Sequence, residues 1–252
     1  MERTVLSAAD GGIRTITLNR PESLNAMNRA LIADVAEAFE QANADRETQV
    51  IIFTGSGRAF CAGDDLNEHS QPGDETAARE HVRAIQRVSE AICFGEKPVV
   101  GAINGWAVGG GFEWAINCDF PIWAESAKAF FPELQWGMFV TGGVTSLLPA
   151  LAGLNVAREM MILGERYDAK TLLAKGVAWR VVPDDRLMDE ARSVALKLLT
   201  LSQRSLRAMK QALNRVASIE LKQAIALEID ITVESFLDPD TTRRIGEFST
   251  RR

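Results

Sequence analysis

Two glutamates and a run of glycines are the residues of this chain whose types and spacing could do chemistry. Three glycines at residues 109–111 lead directly into Phe112 and Glu113, and a second carboxylate, Glu133, follows a proline in an apolar stretch. Glycines at a loop-to-helix junction let a backbone N–H approach a ligand at the positive end of a helix dipole. Such a position stabilises developing negative charge, and nearby glutamates could move protons there. The pattern predicts acid–base chemistry beside a carbonyl oxygen that becomes charged.

A second glycine-bearing loop precedes another predicted helix start. Residues 59–66 have the sequence AFCAGDDL. One interpretation is an ordinary turn in which Asp65 is a helix N-cap. The other is that the backbone N–H of Asp64, directly after Gly63, is the second donor of an oxyanion hole whose first donor is the N–H of Gly110. Taken alone, the segment favours the ordinary turn.

Aromatic side chains crowd the segments around both glutamates. They are Trp106, Phe112, Trp114, Phe130, Phe131, Trp136 and Phe139. A carboxylate among such side chains is buried, and burial raises its pKa towards that of a useful acid–base group. Each glutamate also has a structural interpretation, because Glu113 could be a first-turn residue placed by the helix dipole and Glu133 an exposed acid. The aromatics could equally be ordinary core.

Composition and charge limit the class of protein. With 252 residues, 46% of them hydrophobic and 25% charged, the chain has the balance of a folded globular protein. Its formal net charge of -6 is offset by no Lys/Arg cluster, so no nucleic-acid partner is expected. It contains no apolar run typical of a signal peptide or a membrane span. We therefore expect a cytoplasmic protein with no membrane partner.

The cysteines and histidines restrict the chemistry further. Cys61, Cys93 and Cys118 are odd in number and widely spaced, which predicts reduced thiols and neither a disulfide framework nor a zinc site. The two histidines, His69 and His81, lie in a polar segment far from the glycine runs. A serine or cysteine hydrolase would therefore lack its usual base. No metal and no cofactor are predicted.

Short strands alternate with helices in the first part of the chain. Residues 4–8 and 13–18 predict a β-pair around an Asp-Gly-Gly turn, and residues 50–54 and 99–103 predict buried strands. The apolar spacing over residues 31–42 predicts a helix with one buried face. Repeated strand, glycine loop and helix predict a layered α/β domain.

Beyond about residue 140 the pattern changes to helices joined by short breaks. Helical spacing covers residues 191–201, 206–216 and 221–236, whereas residues 179–182 are the only predicted strand there. The apolar faces of these helices exceed what a small appendage needs, which favours packing against another subunit.

In their order and spacing, these motifs resemble those of the crotonase (enoyl-CoA hydratase/isomerase) family. The motifs are LNRP at residues 18–21, NAM at 25–27, AFCAGDDL at 59–66, NGWAVGGGFE at 104–113 and FPE at 131–133, and the resemblance covers nearly the whole chain. It implies an α/β fold in which residues 1–190 form a crotonase-like spiral of ββα units. Residues 191–252 would form a C-terminal helical trimerisation region. The implied ligand is an acyl-CoA thioester, and the implied assembly is a homotrimer or a dimer of trimers.

The resemblance also implies roles for individual residues. The backbone N–H groups of Asp64 and Gly110 would polarise the thioester carbonyl. Glu133 would exchange a proton with the α-carbon, and Glu113 would orient and activate a water. Contacts with CoA or substrate are implied for Leu24, Arg58, Ala62, Leu66, Trp136 and Arg251. Hydratases of the family use two glutamates, whereas isomerases, hydrolases and decarboxylating relatives often keep one or neither, so the pair predicts hydration of a 2-enoyl-CoA.

Several departures from the family pattern keep other functions open. VTGGVTSL at residues 140–147 lacks the usual proline and arginine, and Glu22 and Asn67 stand where basic residues are common. Asp64 occupies a position often taken by a smaller residue, so its side chain must turn away from the oxyanion. The alternatives are isomerisation, carnitinyl-CoA-type dehydration, retro-aldol cleavage of an aromatic acyl-CoA, or acyl-CoA binding without turnover. The presence of both glutamates argues against the last of these.

Overall fold

The computed structural model describes residues 3–68, 74–217 and 219–249. Its strands are β1 (Val5–Asp10), β2 (Ile13–Leu18), β3 (Val50–Gly55), β4 (Ala59–Cys61), β5 (Val99–Ile103), β6 (Trp106–Val108), β7 (Phe120–Ala124), β8 (Lys128–Phe130), β9 (Tyr167–Asp168) and β10 (Arg180–Val182). Its helices are α1 (Arg29–Ala44), α2 (Glu75–Cys93), α3 (Gly110–Asn117), α4 (Glu133–Trp136), α5 (Val144–Ala152), α6 (Leu154–Arg158), α7 (Ala169–Ala174), α8 (Leu187–Leu199), α9 (Gln203–Ala217), α10 (Ile219–Leu237) and α11 (Pro239–Ser249). Short turns of 3-10 helix (Pro21–Ser23, Asp184–Arg186) and π-helix (Glu159–Leu163) complete them.

The strands form two sheets. The larger has the order β1-β2-β3-β5-β7-β10, and the smaller has the order β4-β6-β8-β9. In the large sheet the β1–β2 hairpin is antiparallel, and the other neighbouring strands pair in parallel. The chain therefore passes repeatedly through a strand of the large sheet, a short strand of the small sheet and a helix, as in β3-β4-α2 and β5-β6-α3. This is the predicted ββα spiral.

The small sheet contains a strand that the sequence does not predict. Residues Tyr167–Asp168 form β9, which pairs antiparallel with β8. The expectation that residues 179–182 are the only strand beyond about residue 140 is therefore wrong. A two-residue strand is too short to show the alternation by which strands are recognised.

The loop between β4 and α2 is held by polar groups of the preceding segment. Asn25, fully buried and at φ 56°, donates from Nδ2 to the carbonyl oxygens of Ser56, Ala59 and Phe60. Arg20 pairs with Asp65 at 3.1 Å. The buried amide therefore holds β4 and the turn before it, while the Arg20–Asp65 pair holds the loop that follows β4.

The last helices cover the spiral. The helices predicted over residues 191–201, 206–216 and 221–236 are confirmed as α8, α9 and α10. Along α8, buried residues belong to the main core together with those of the large sheet, while α10 packs against α2 and α5. The division of the chain after residue 190 falls inside α8, and the oligomerisation role of residues 191–252 stays a prediction.

Three further expectations concern the cysteines, metal binding and membrane-spanning helices. Cys61, Cys93 and Cys118 are buried free thiols, as predicted. Within the described part of the chain, no three or more His, Cys, Asp or Glu side chains cluster so that they could hold a metal ion. No helix in the described ranges is long and apolar enough to cross a membrane.

Candidate active site

Glu113 lies in the first turn of α3, directly after the end of β6. The chain enters the helix through Gly109 at φ 52°, a conformation that L side chains rarely adopt. A Cβ on Gly111 would collide with the carbonyl oxygen of Cys61, so α3 packs directly on β4. As the first residue of α3, Gly110 keeps an N–H that no helical carbonyl can reach.

Glu133 reaches the same place from the neighbouring strand. β6 and β8 are parallel, with Val108 opposite Phe130, so the chain leaves both strands at the same edge. α3 follows one strand and α4, which begins at Glu133, follows the other. A Cβ on Gly109 would collide with Oε1 of Glu133, which shows how closely the two segments approach. The two glutamates are therefore neighbours because their strands are neighbours.

Both carboxylates line one cavity of about 290 Å³. Of the residues predicted for the site, Asp64, Gly110, Glu113, Glu133, Ala62, Leu66 and Trp136 line it. Its apolar walls also include Ile85, Phe130, Met138, Phe139 and Phe236. Leu24 lies just outside, where its carbonyl accepts from the N–H of Ala62 at 3.0 Å, and Arg58 is exposed outside the cavity. Arg251 lies outside the described residues.

Glu113 is buried and held by a single residue of the loop before α5. The N–H of Thr141 donates to Oε1 at 2.7 Å, and the hydroxyl of Thr141 donates to Oε2. Burial raises the pKa of Glu113 to about 8, although the two Thr141 donors oppose the rise. The negative charges of Glu228 and Asp64 add to it. Thr141 therefore orients the carboxylate, and the pKa of Glu113 lies close to neutral pH, where an acid–base group works best.

Glu133 has a different environment. Its Oε2 is buried and has no hydrogen-bond partner among the described residues. Burial raises the pKa of Glu133 well above its ordinary value, and the charge of Glu113 raises it further. Repulsion between the two negative charges disfavours ionising both carboxylates, and the two Thr141 donors make Glu113 the easier one to ionise. Glu133 is therefore the more easily protonated of the two carboxylates, and Glu113 is the one that ionises first as pH rises through about 8.

The backbone segments that carry the two predicted donors approach closely. A Cβ built on Gly63, at φ 83°, would lie 3.8 Å from the nitrogen of Gly110. The N–H of Met27 donates to the carbonyl of Gly63 at 2.8 Å, and Asp64 bridges to Met27. These contacts place the Asp64 main chain beside the first turn of α3.

The Asp64 carboxylate contacts α2. Its Oδ1 lies 3.2 Å from Nε2 of His81. Burial opposes protonation of His81, but the hydrogen bond and charge of Asp64 outweigh it, so the pKa of His81 is raised. The side chain that could repel an oxyanion is thus engaged by a nearby imidazole.

Three polar residues of the site region were not among the predicted site residues. Thr141 holds Glu113, while Gln86 and Glu228 bind the loop on the other side. The sequence carries a faint signal for Glu228, which lies one helical turn from Ile225 and Thr232 on the buried face of α10. A carboxylate on such a face needs hydrogen-bond partners.

The chain thus combines a ββα spiral with one cavity lined by two buried carboxylates and by Asp64 and Gly110. The sequence pattern described as enoyl-CoA hydratase/isomerase matches residues 8–251, and the chain belongs to this family.

Individual relatives match over most of their length. A protein of Arabidopsis thaliana named probable enoyl-CoA hydratase 1, peroxisomal, is 34% identical over 86% of this chain and 81% of its own. The 1,2-epoxyphenylacetyl-CoA isomerase of Escherichia coli strain K12 is 32% identical over 100% of this chain and 97% of its own. The crystal structure of an enoyl-CoA hydratase from Mycobacterium avium subsp. paratuberculosis K-10 superposes with a TM-score of 0.90 at 29% identity, over 99% of this chain and 96% of that one.

Proposed function

We propose that this protein is an enoyl-CoA hydratase, which adds water reversibly to a 2-enoyl-CoA thioester. The observation that carries the proposal is that Glu113 and Glu133, both buried, line one cavity together with Asp64 and Gly110. Two carboxylates in different hydrogen-bond environments suit a reaction that needs one base and one acid. The Arabidopsis thaliana relative, whose name is that of a hydratase, supports the same activity.

In the proposed reaction the thioester carbonyl accepts hydrogen bonds from the N–H groups of Asp64 and Gly110. These donors stabilise the enolate that forms, a contribution worth on the order of 3 kcal/mol in comparable sites. Glu113 accepts a proton from a water whose oxygen bonds to the β-carbon. Glu133 gives its proton to the α-carbon. Because each oxygen of Glu113 has a second lone pair, it can accept from water while Thr141 stays bonded.

The cavity suits the acyl part of such a substrate. Its walls beyond the carboxylates are largely apolar and include Leu66, Met138 and Phe236. Apolar walls exclude water from the enolate and bind the acyl chain. We assign CoA contacts to Ala62, which lines the cavity, to Leu24, whose carbonyl accepts from the N–H of Ala62, and to the exposed Arg58. We expect no cofactor besides the acyl-CoA substrate.

A second candidate function is isomerisation of an acyl-CoA. The Escherichia coli relative that matches along the whole chain is named an isomerase. Trp136 and Phe139 in the cavity wall would suit an aromatic acyl group. The carnitinyl-CoA-type dehydratase, the retro-aldol lyase and the non-catalytic acyl-CoA-binding protein use the same donors and remain alternatives.

Product analysis with two substrates distinguishes these functions. We expect purified protein to convert crotonyl-CoA to 3-hydroxybutyryl-CoA and to leave a 3-enoyl-CoA unchanged. Conversion of the 3-enoyl-CoA to its 2-enoyl isomer without hydration would instead identify an isomerase. Binding of both without conversion would identify a non-catalytic protein.

The proposal includes the assembly and location predicted from the sequence. Exposed apolar side chains on α9, including Met209 and Leu213, support burial between subunits of a homotrimer or a dimer of trimers. A cytoplasmic location stays a prediction, and fractionation of cells that express the protein would test it.

A further inference from the structure

The segment that binds Glu113 is an unusual piece of backbone. We call residues 140–143 the base loop, because Thr141 within it holds the proposed base Glu113 from both sides. Gly142 and Gly143 both have left-handed backbone angles, φ 67° and φ 70°. Glycine populates positive and negative φ about equally, so two consecutive glycines do not fix this geometry locally. The position of the loop must therefore be set by what surrounds it.

Three helices bind the base loop through polar side chains. Thr232 of α10 donates its hydroxyl to the carbonyl of Val140 at 3.3 Å. The N–H of Gly142 donates to Oε1 of Gln86, on α2, at 3.0 Å. Asn117 of α3 donates from Nδ2 to the carbonyl of Gly142 at 2.8 Å. These hydrogen bonds hold the backbone on both sides of the Thr141 peptide, at Val140 and at Gly142.

Glu228 is the centre of this network. It is fully buried and accepts from the N–H of Gly143 at 2.7 Å, from the N–H and hydroxyl of Thr145 at 3.1 Å and 2.7 Å, and from Nε2 of Gln86 at 3.3 Å. Burial raises the pKa of Glu228, but these donors oppose the rise. Four donors directed at one carboxylate favour its ionised form, which also complements the positive end of α5.

We propose that Glu228 is a positioning residue for Glu113: it fixes the base loop from α10, and the loop fixes the carboxylate that activates water. The inference rests on the proposed function, because it concerns the base of that reaction. It links two parts of the site, since α10 also places Thr232 and Phe236 in the cavity wall. The packing of α10 against the rest of the protein therefore forms one wall of the acyl cavity and, at the same time, orients the base.

The charge of Glu228 acts on the base as well. The charged groups that affect Glu113 are Glu228 from α10, Asp64 from the loop after β4, and Glu133 from α4. Glu228 and Asp64 both raise the pKa of Glu113. Removing the charge of Glu228 should therefore lower the pH at which Glu113 loses its proton.

The test is Glu228→Gln, which keeps the shape of the side chain but turns two of its acceptor sites into a donor group. We expect kcat for crotonyl-CoA to fall at least about tenfold while KM changes less than about threefold, because the loop acts on the base. The acidic limb of the pH profile should shift to lower pH. The matched control is Glu234→Gln on the exposed face of the same helix, which should leave both unchanged.

A second variant separates position from charge. Gln86 touches both Gly142 and Glu228 but does not line the cavity. Gln86→Met should lower kcat and leave the pH of the acidic limb unchanged, because no charge is lost. If Glu228→Gln does not fold, this variant carries the test alone, and an unchanged kcat in Gln86→Met overturns the inference.

Amide hydrogen exchange gives a reading that does not depend on the reaction. Peptides covering residues 140–145 should exchange slowly in the parent protein and at least about tenfold faster in Glu228→Gln and Gln86→Met. If exchange differs in this way between the parent and the variants but the parent does not hydrate crotonyl-CoA, the proposed function is contradicted. The inference that Glu228 positions the base loop then still stands. Unchanged exchange, kcat and pH profile in Glu228→Gln would overturn the inference.

Discussion

Thr141 places one hydrogen-bond donor on each oxygen of the Glu113 carboxylate, its N–H on Oε1 and its hydroxyl on Oε2. Oε2 of Glu133, in the same cavity, is buried without a partner among the described residues. The two donors favour the ionised form of Glu113, whereas Glu133 is the more easily protonated of the pair. This difference in donors separates the two roles, because burial acts on both side chains alike.

Glu113→Gln and Glu133→Gln should each lower hydration of a short 2-enoyl-CoA by at least about a hundredfold, the usual scale for the loss of a general acid or base. Affinity for a non-reactive acyl-CoA should survive, because we assign carbonyl binding to the backbone of Asp64 and Gly110. Steady-state rates and calorimetric binding measure the two effects. Unchanged turnover in both variants would show that the carboxylates are structural.

The pH dependence of kcat/KM should report Glu113. Since its pKa is raised to about 8, the base is protonated at lower pH, and activity should rise as pH increases through that value. Thr141→Val removes the hydroxyl that stabilises the anion, so the rise should move to higher pH. Glu228→Gln should move it the opposite way. A limb near the ordinary carboxyl value in the parent protein would contradict the burial of Glu113.

Glu133→Gln should stabilise the protein relative to the parent, and this stabilisation should grow as pH rises. Above the ordinary value of 4.5, the unfolded chain releases the proton of Glu133 while the folded protein keeps it. The folded state then binds more protons, so the stability of the parent falls by up to about 1.4 kcal/mol per pH unit until the raised pKa is reached. The variant lacks this dependence. Denaturant unfolding at pH 5 and pH 8 should show a difference between the two proteins that grows with pH.

Gly142→Ala should damage the site more than its backbone strain explains. A Cβ there would lie 2.9 Å from Cβ of Glu113. Gly11→Ala is the matched control, because Gly11 also has a left-handed φ, 56°, but nothing lies within 4 Å of its Cβ position. Both variants should lose roughly 1 kcal/mol of stability from strain. Only Gly142→Ala should also lose at least about tenfold in kcat, and equal kcat in the two variants would contradict a constrained base loop.

The assembly can be tested on α9. Met209 and Leu213 are 59% and 62% exposed and lie one turn apart, so a charge there should disrupt a subunit interface. Leu213→Glu should lower the particle mass seen by light scattering from that of a trimer or a hexamer. Leu6→Glu, on an exposed leucine of β1, is the control and should keep the parent mass. A parent protein that is a fully active monomer at micromolar concentration would contradict the assembly.

The sequence by itself identifies the groups that could do the chemistry. Glycines 109–111 and Glu113 lie within five consecutive residues, and the glycine at residue 63 directly precedes Asp64. Such motifs are readable because the requirement is local: positive φ angles and close backbone approach exclude other residue types. Helices α8 to α10 are predictable for a similar reason, since each repeats its apolar residues with the helical period.

Only the tertiary structure decides how these groups are tuned. Gln86 meets Gly142, and Glu228 meets Gly143, across long stretches of chain that the spiral and α10 bring together. The acid and base roles depend on which carboxylate receives donors from Thr141, and the raised pKa values depend on burial from all sides. Hydrogen-bond partners and desolvation arise from long-range packing, for which no spacing along the sequence is specific.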